Sequence, residues 1–273
     1  ERVLLFSTGY MANLGVITSL AARSDLLLQD KLNHASLLAA ARLSGAKMLR
    51  YAHNDLDDLE RLLTKHSSSL GNKFIITEGT FSMDGDRADL ESLVKLASSH
   101  NAYLIADEAH SLGVCGAAGS GIAAQFTQRE VPVIVGTLGK AFGTFGAFVA
   151  GSEELIENII QFASSYIYTT ALPPAIAAAT SASLQLIVQA DVQRAHLESL
   201  ISYFCTQASS LNLQLLPSSS PIQPVLIGDS AKALAISSAL ADQGILVSAI
   251  RPPTVPQGSA RLRITFTASH TQG

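Results

Sequence analysis

The run Val133–Phe148, VIVGTLGKAFGTFGAF, carries a single cation, Lys140, and no acidic residue lies between Glu130 and Glu153. The apolar, β-branched stretch Val131–Val135 before it predicts a strand buried on both faces. Gly136, Gly139, Gly143 and Gly146 then make the run too glycine-rich for a helix. An amine just past a buried strand, among small residues, suits a nucleophile toward a carbonyl or a cofactor aldehyde. Desolvation there is expected to lower its pKa. The plain alternative is a lysine that snorkels out of a loop. Other chemically capable residues share its position at strand ends. Gly9-Tyr10 follow the strand Val3–Phe6, and His34 follows Leu26–Gln29 at the start of a helix. Ser82 follows Lys73–Thr77, Asp107 and His110 follow Ala102–Ala106, and Thr137 precedes Lys140.

The elements that must hold these residues alternate. Helical spacing spans Met11–Ala22, Leu37–Ser44, Asp55–His66 and Leu90–Ser99, between the strands named above. Strands alternating with helices predict an α/β layer with a mostly parallel sheet, and in such sheets ligands gather at the carboxyl ends of strands. Pro173-Pro174 interrupts the pattern, and a long helical region from Ala175 to about Ser210 follows. Beyond it the order becomes strand (Leu213–Leu216), strand (Gln223–Ile227), helix (Ala231–Gln243), strand (Ile245–Ala249) and strand (Arg261–Phe266). The expected organisation is a large three-layer αβα domain over 1–174, a linking helical region over 175–210, and a small α+β domain over 211–273.

Composition narrows the classes. Of 273 residues, 48% are hydrophobic and 15% charged, as in a globular protein. Eighteen basic against 22 acidic residues give a net charge of −4, which suggests neither nucleic acid nor an anionic membrane as partner. No apolar run reaches the ~18 residues needed to cross a bilayer. Cys115 and Cys205 show no metal-ligand spacing; they read as reduced packing residues, which fits a cytoplasmic location. The Asp-Gly pairs near Asp84 and Asp86 lack the ligand spacing of a calcium loop, and no metal site is expected. The chain begins Glu1-Arg2 with no initiator Met and enters a strand at once, so it reads as a segment starting inside a fold.

Pyridoxal 5′-phosphate is a cofactor that needs this set of groups: a lysine for its aldehyde, a carboxylate against the pyridine nitrogen, an anion site and a stacking ring. Lys140, Asp107, the helix start at Gly9-Tyr10 with the Thr137 hydroxyl, and His34 supply one candidate each. DEAH at Asp107–His110 is also a helicase signature. A P-loop ATPase would require G-x-x-x-x-G-K-[ST] upstream; the Gly139-Lys140 pair lies downstream, with Ala141 where the hydroxyl should be.

The runs LNHASL, EGTFSMDGD, DEAHSLGVCG, VGTLGKAFG, YIYTTALPP and IRPPTVP resemble the α-oxoamine synthases, fold-type I pyridoxal-phosphate enzymes. The likeness extends along essentially the whole chain and implies that an N-terminal part and a short C-terminal stretch of a full-length enzyme lie outside it. It implies that Lys140 bonds the cofactor, and that Asp107 and His110 face the pyridine nitrogen and the ring hydroxyl. His34 would stack on the ring and also face substrate; Ser82 and Thr137 would contact cofactor oxygens, and Gly9-Tyr10 the phosphate. Arg251 would grip the substrate carboxylate, with Thr254 nearby. The implied partners are L-alanine and a pimeloyl thioester of CoA or acyl-carrier protein, in a homodimer with Tyr168-Thr169-Thr170 beside the other subunit's phosphate. A glycine-using acetyltransferase is the alternative branch. A catalytically silent subunit of the same fold would lack the lysine. Ser111-Leu112 depart from the family's usual pairs, which bears on local packing only.

Overall fold

The computed structural model describes residues 1–272, and they fall into two compact units: 1–79 with 88–189, and 80–87 with 190–272. The first unit holds β1 (Arg2–Phe6), α1 (Gly9–Leu20), β2 (Leu26–Asp30), α2 (Ala35–Ser44), β3 (Lys47–Tyr51) and α3 (Leu56–Lys65). It continues with β4 (Lys73–Glu78), α4 (Leu90–Ser99), β5 (Ala102–Asp107), β6 (Val133–Thr137) and β7 (Ala147–Gly151). Three helices complete it: α5 (Glu153–Phe162), α6 (Ser164–Ile167) and α7 (Pro174–Val188).

The sheet is seven-stranded in the order β1-β7-β6-β5-β4-β2-β3. Only β7 runs against the others, pairing antiparallel with β1 and with β6. The strands β2, β4, β5 and β6 are the apolar runs expected of a covered parallel sheet. Every residue of β2 is buried, as are Phe74 to Glu78 of β4. Side chains alternate between faces. Leu27, Ile76, Ile105, Val133 and Val135 pack in one core cluster with Val16 and Ile17 of α1, Leu37 of α2 and Ile156 and Ile159 of α5. Helices α3 and α4 bury Leu59, Leu63, Leu90 and Leu93 on the remaining face. The αβα expectation therefore holds.

Sheet register sets the working edge. Glu78 of β4 pairs with Asp107 of β5, and Thr137 of β6 pairs with Ala147 of β7, which in turn pairs with Phe6 of β1. The segments after β1, β2, β4, β5 and β6 thus leave the sheet at one edge, and each carries one of the chemically capable residues. Two strands were not expected. The residues of β3 mostly show partial or full exposure, with Lys47 and Arg50 outward, as befits an edge. The strand β7 is hidden in sequence by the glycine run before it.

The second unit holds α8 (Asp191–Ser210), β8 (Ile222–Gly228), α9 (Ser230–Ala241), β9 (Ser248–Ile250) and β10 (Ala260–Thr265). Its sheet is antiparallel in the order β8-β10-β9, with a core of Val225, Val247 and Leu262. The expected strand Leu213–Leu216 is reduced to one bridge, Leu215 to Val225. Pro224 opposite it lacks an N–H, and Pro217 ends the run. The expected strand Ile245–Ala249 starts late, because the Ile245 N–H closes the end of α9 on the Leu240 carbonyl, with Gly244 at φ +79°. The region expected as one helical stretch is two helices, α7 and α8, divided at Gln189-Ala190. The hairpin Thr80–Arg87 groups with this unit. Arg261 forms an ion pair with Asp84, the Arg263 Nε donates to the Ser82 carbonyl at 2.7 Å, and the Ser218 hydroxyl donates to the Gly85 carbonyl at 3.0 Å.

Among the described residues no single helix is long and apolar enough to cross a membrane. Gly136 sits in β6 where a Cβ would stand 2.5 Å from the Leu112 Cδ1 and from the Phe148 ring, so Leu112 uses the space that the missing side chain leaves. Gly136→Ala is expected to destabilise the protein by about 1–3 kcal/mol through overpacking. A urea titration checks this; an unchanged midpoint contradicts it.

Candidate active site

Helix α1 begins where Thr8 caps it, its hydroxyl accepting from the Met11 N–H at 3.1 Å. The first turn carries no acidic residue, and the N–H groups of Gly9 and Tyr10 have no acceptor within the helix. The positive end of the helix dipole is therefore open to an anion. A Cβ on Gly9 would stand 4.0 Å from the Thr137 Cβ, so the hydroxyl at the end of β6 adjoins that helix start. The Thr137 Oγ1 lies 3.3 Å from the Gly146 carbonyl, to which it donates.

One turn further along α1 is Asn13, on the same helix face as Gly9. It is 2% exposed, and its Nδ2 donates to the Asp107 Oδ2 at 2.7 Å and to the Ser36 Oγ at 3.0 Å. Asp107, the last residue of β5, is 5% exposed, and its Oδ1 accepts from the Ala109 N–H at 2.9 Å. Its carboxylate is thus held by one donor on each oxygen. His34 is the N-cap of α2. Its backbone N–H donates to the Glu78 Oε1 at 2.6 Å, and its Nδ1 lies 2.8 Å from the Ser36 Oγ. Burial lowers the His34 pKa; the Asp107 charge opposes this, and the Lys140 charge adds to it. His34 therefore lies within electrostatic reach of both, and the three groups converge at one edge of the sheet.

Lys140 stands in the loop between β6 and β7. The loop base is closed by hydrogen bonds from the Leu138 N–H to the Gly146 carbonyl at 2.8 Å and from the Thr144 N–H to the Leu138 carbonyl at 2.9 Å. The Ser183 hydroxyl of α7 donates to the Phe142 carbonyl at 2.5 Å. The expected desolvation of Lys140 is not found: the side chain is exposed. The cause lies in the loop, whose Gly139 and Lys140 are open and whose Gly143 would meet nothing within 4 Å even with a Cβ. His110 is half-buried in the turn after β5. Ser82, Arg251 and Thr254 belong to the second unit. There Ser82 is buried in the hairpin, whereas Arg251 and Thr254 are exposed beyond β9, joined by a hydrogen bond from the Thr254 N–H to the Arg251 carbonyl at 3.0 Å. Among the described residues no group of His, Cys, Asp and Glu could hold a metal ion.

Sequence reasoning missed Asn13, Ser36 and Glu108. The first carried a usable signal, four residues after Gly9 on one helix face. Glu108 is 1% exposed and points away from the site into the loop that follows, where the Ile122 N–H donates to its Oε2 at 2.7 Å. Gly79 and Gly121 leave room for its carboxyl group, since a Cβ at either would overlap its oxygens. Burial, with the Asp107 charge adding to it, pushes the Glu108 carboxyl up to about 7.

The chain belongs to the aminotransferase class I and II family, which it matches over residues 1–273. Its fold is that of the fold-type I pyridoxal-phosphate transferases. It is 32% identical to serine palmitoyltransferase of Sphingomonas wittichii, with a TM-score of 0.94 over 100% of this chain and 69% of that one. A structure of 8-amino-7-oxononanoate synthase from Francisella tularensis is 36% identical, with a TM-score of 0.88 over 99% of this chain and 78% of that one. Among curated relatives, 8-amino-7-oxononanoate synthase of Stutzerimonas stutzeri is 57% identical over 99% of this chain and 69% of its own length. The protein of that name from Saccharophagus degradans is 55% identical over 99% of this chain and 68% of its own.

Glu108 makes stability depend on pH in a defined direction. Its folded pKa, about 7, lies above the ordinary value of 4.5, so the folded state keeps a proton that the unfolded chain has lost between these values. That contribution is complete below 4.5 and is lost as pH rises toward 7, on the order of 3 kcal/mol in all. Glu108→Gln removes it, so the variant is expected to gain stability relative to the native protein between pH 5 and pH 8. Denaturant titrations at both pH values test this, and a constant difference contradicts it.

Proposed function

We propose that the protein catalyses the decarboxylative condensation of L-alanine with a pimeloyl thioester of CoA or acyl-carrier protein. The products are 8-amino-7-oxononanoate, the free thiol and CO₂, a step of biotin synthesis in the cytoplasm. The observation that carries the reading is the convergence of the doubly held Asp107 carboxylate with His34 and Lys140 at one sheet edge. The names of the relatives support the choice of substrates.

The residues fit pyridoxal phosphate: a buried, hydrogen-bonded carboxylate, an acid-free helix start beside a hydroxyl, a neutral imidazole and an exposed lysine amine. When bound, that group supplies an aldehyde for the amino group and a conjugated ring for the electron pair left at Cα and again when CO₂ departs. Asp107 would keep the pyridine nitrogen protonated, and His34 would cover the ring. By the family resemblance Gly9 and Tyr10 would hold the phosphate, Ser82 and Thr137 would contact cofactor oxygens, and His110 would face the ring hydroxyl. The Lys140 Nζ would hold the aldehyde, and its free amine would serve as the base and acid for the substrate's Cα proton. By the family resemblance Arg251 would bind the alanine carboxylate through its planar fork, with Thr254 nearby. Exposure of Lys140 supports the displacement role, because the amine needs room to leave and return.

A homodimer is part of the proposal. Helix α7 has no buried residue, its Leu184, Leu186 and Val188 are half-exposed or more, and the run Tyr168–Thr170 that precedes it is exposed. Sedimentation of the full-length protein tests it, and an active monomer refutes it.

Lys140→Ala is expected to cut turnover by ~10²–10⁴-fold or more while the far-ultraviolet circular dichroism stays unchanged. Borohydride reduction with peptide mapping should label Lys140; a label on Lys31 or Lys73 refutes the assignment. With pimeloyl-CoA, kcat/KM for L-alanine should exceed that for glycine by about 10–200-fold, the worth of one methyl group in a pocket. A preference for glycine with acetyl-CoA moves the protein to the acetyltransferase branch.

A further inference from the structure

We infer that Asn13 is a positioning residue that ties Asp107 to His34 through Ser36, so that the carboxylate and the ring are oriented by one hydrogen-bonded chain. The inference rests on pyridoxal phosphate being the cofactor but not on the choice of acyl donor.

The directions of the protons follow from obligate donors. The Ser36 backbone N–H donates to the His34 Nδ1 at 3.2 Å, so that nitrogen is an acceptor and carries no hydrogen. The Ser36 hydroxyl, 2.8 Å from the same nitrogen, therefore donates to it as well. With its hydrogen committed, the Ser36 oxygen accepts from the Asn13 Nδ2 at 3.0 Å. The second hydrogen of that Nδ2 goes to the Asp107 Oδ2 at 2.7 Å. The amide cannot be turned over, because its carbonyl oxygen would then face the Asp107 carboxylate. In the orientation found, the Asn13 Oδ1 is buried with no hydrogen-bond partner among the described residues, so the side chain gives up one bond of its own to supply two donors.

The chain has two consequences. His34 is held as the neutral tautomer with its hydrogen on Nε2, in keeping with the burial that disfavours its charge. The Asp107 Oδ2 has its direction set by α1, the helix that also carries Gly9. A ligand that touches both the helix start and the strand end thus meets groups fixed by one rigid element.

Two measurements on the full-length protein test the inference. Long-range ¹H–¹⁵N correlation of the cofactor-free protein, with the His34 signal assigned by His34→Gln, should show the Nε2–H tautomer; the Nδ1–H tautomer overturns the chain of donors. Asn13→Leu, close in volume but without donors, should weaken pyridoxal phosphate binding by roughly 10–100-fold and move the pH midpoint of the bound cofactor's absorbance. A lower melting temperature with unchanged affinity and midpoint would make Asn13 a packing residue and overturn the inference. Asn13→Ala serves the same comparison if the leucine variant does not fold, and the tautomer measurement needs no variant at Asn13. Neither readout involves the acyl thioester, so a wrong substrate leaves both standing. Failure of the native protein to bind pyridoxal phosphate would instead fall on the proposed function.

Discussion

A carboxylate taken out of water must be held by donors, and in this fold that requirement falls on Asp107. At 5% exposure it has lost most of its solvent, and its two oxygens are served by the Ala109 N–H and the Asn13 amide. The first comes without effort from the turn after β5. The second requires α1 to lie close over the end of that strand. Gly15 lets it do so: a Cβ there would stand 2.9 Å from the Phe6 ring and from the Ser165 hydroxyl. The Ser165 hydroxyl in turn donates to the Met11 carbonyl at 2.9 Å, which fastens α6 to the same helix. The position of one carboxylate is thereby written into the docking of two helices.

Adjacent acids in one strand end have been given opposite lives. Successive side chains leave a strand on opposite sides, so Asp107 and Glu108 cannot both face the site. Asp107 has a donor on each oxygen and faces His34. Glu108 is buried against glycine backbone and the Ile122 N–H, and burial drives it toward the neutral form. A protonated Glu108 spares Asp107 a second negative charge next door. Environments that push neighbouring carboxyl groups apart are a familiar way of dividing roles between them.

The large sheet was legible in the sequence where strands are buried on both faces, because short, mostly apolar runs such as Leu26–Gln29 and Ala102–Ala106 suit few elements besides a covered strand. Legibility failed where local signals conflict with tertiary ones. The strand AFVAG follows so many glycines that only pairing with β1 and β6 makes it a strand. Ser82 looked like part of the large domain by its place after β4, yet the hairpin around it is held by Arg261 and Arg263, far later in the chain. Strand-end residues were findable because topology puts strand ends together; their supports were not, since Asn13 and Ser36 are ordinary helical residues until the fold brings them to Asp107 and His34.

Lys140 illustrates a different limit. A lysine among glycines invites the idea of a buried amine with a depressed pKa, and the fold instead leaves the side chain exposed. What the glycines provide is a loop held at its base and open at its tip. Leu138, Thr144 and Gly146 close the base, while α7 grips the loop through Ser183 on the Phe142 carbonyl and Thr180 on Thr144 at 3.0 Å. The two tasks proposed for this amine, bonding a cofactor at rest and moving a proton once freed, call for a fixed backbone and a side chain that can swing. Burial would secure the first at the expense of the second.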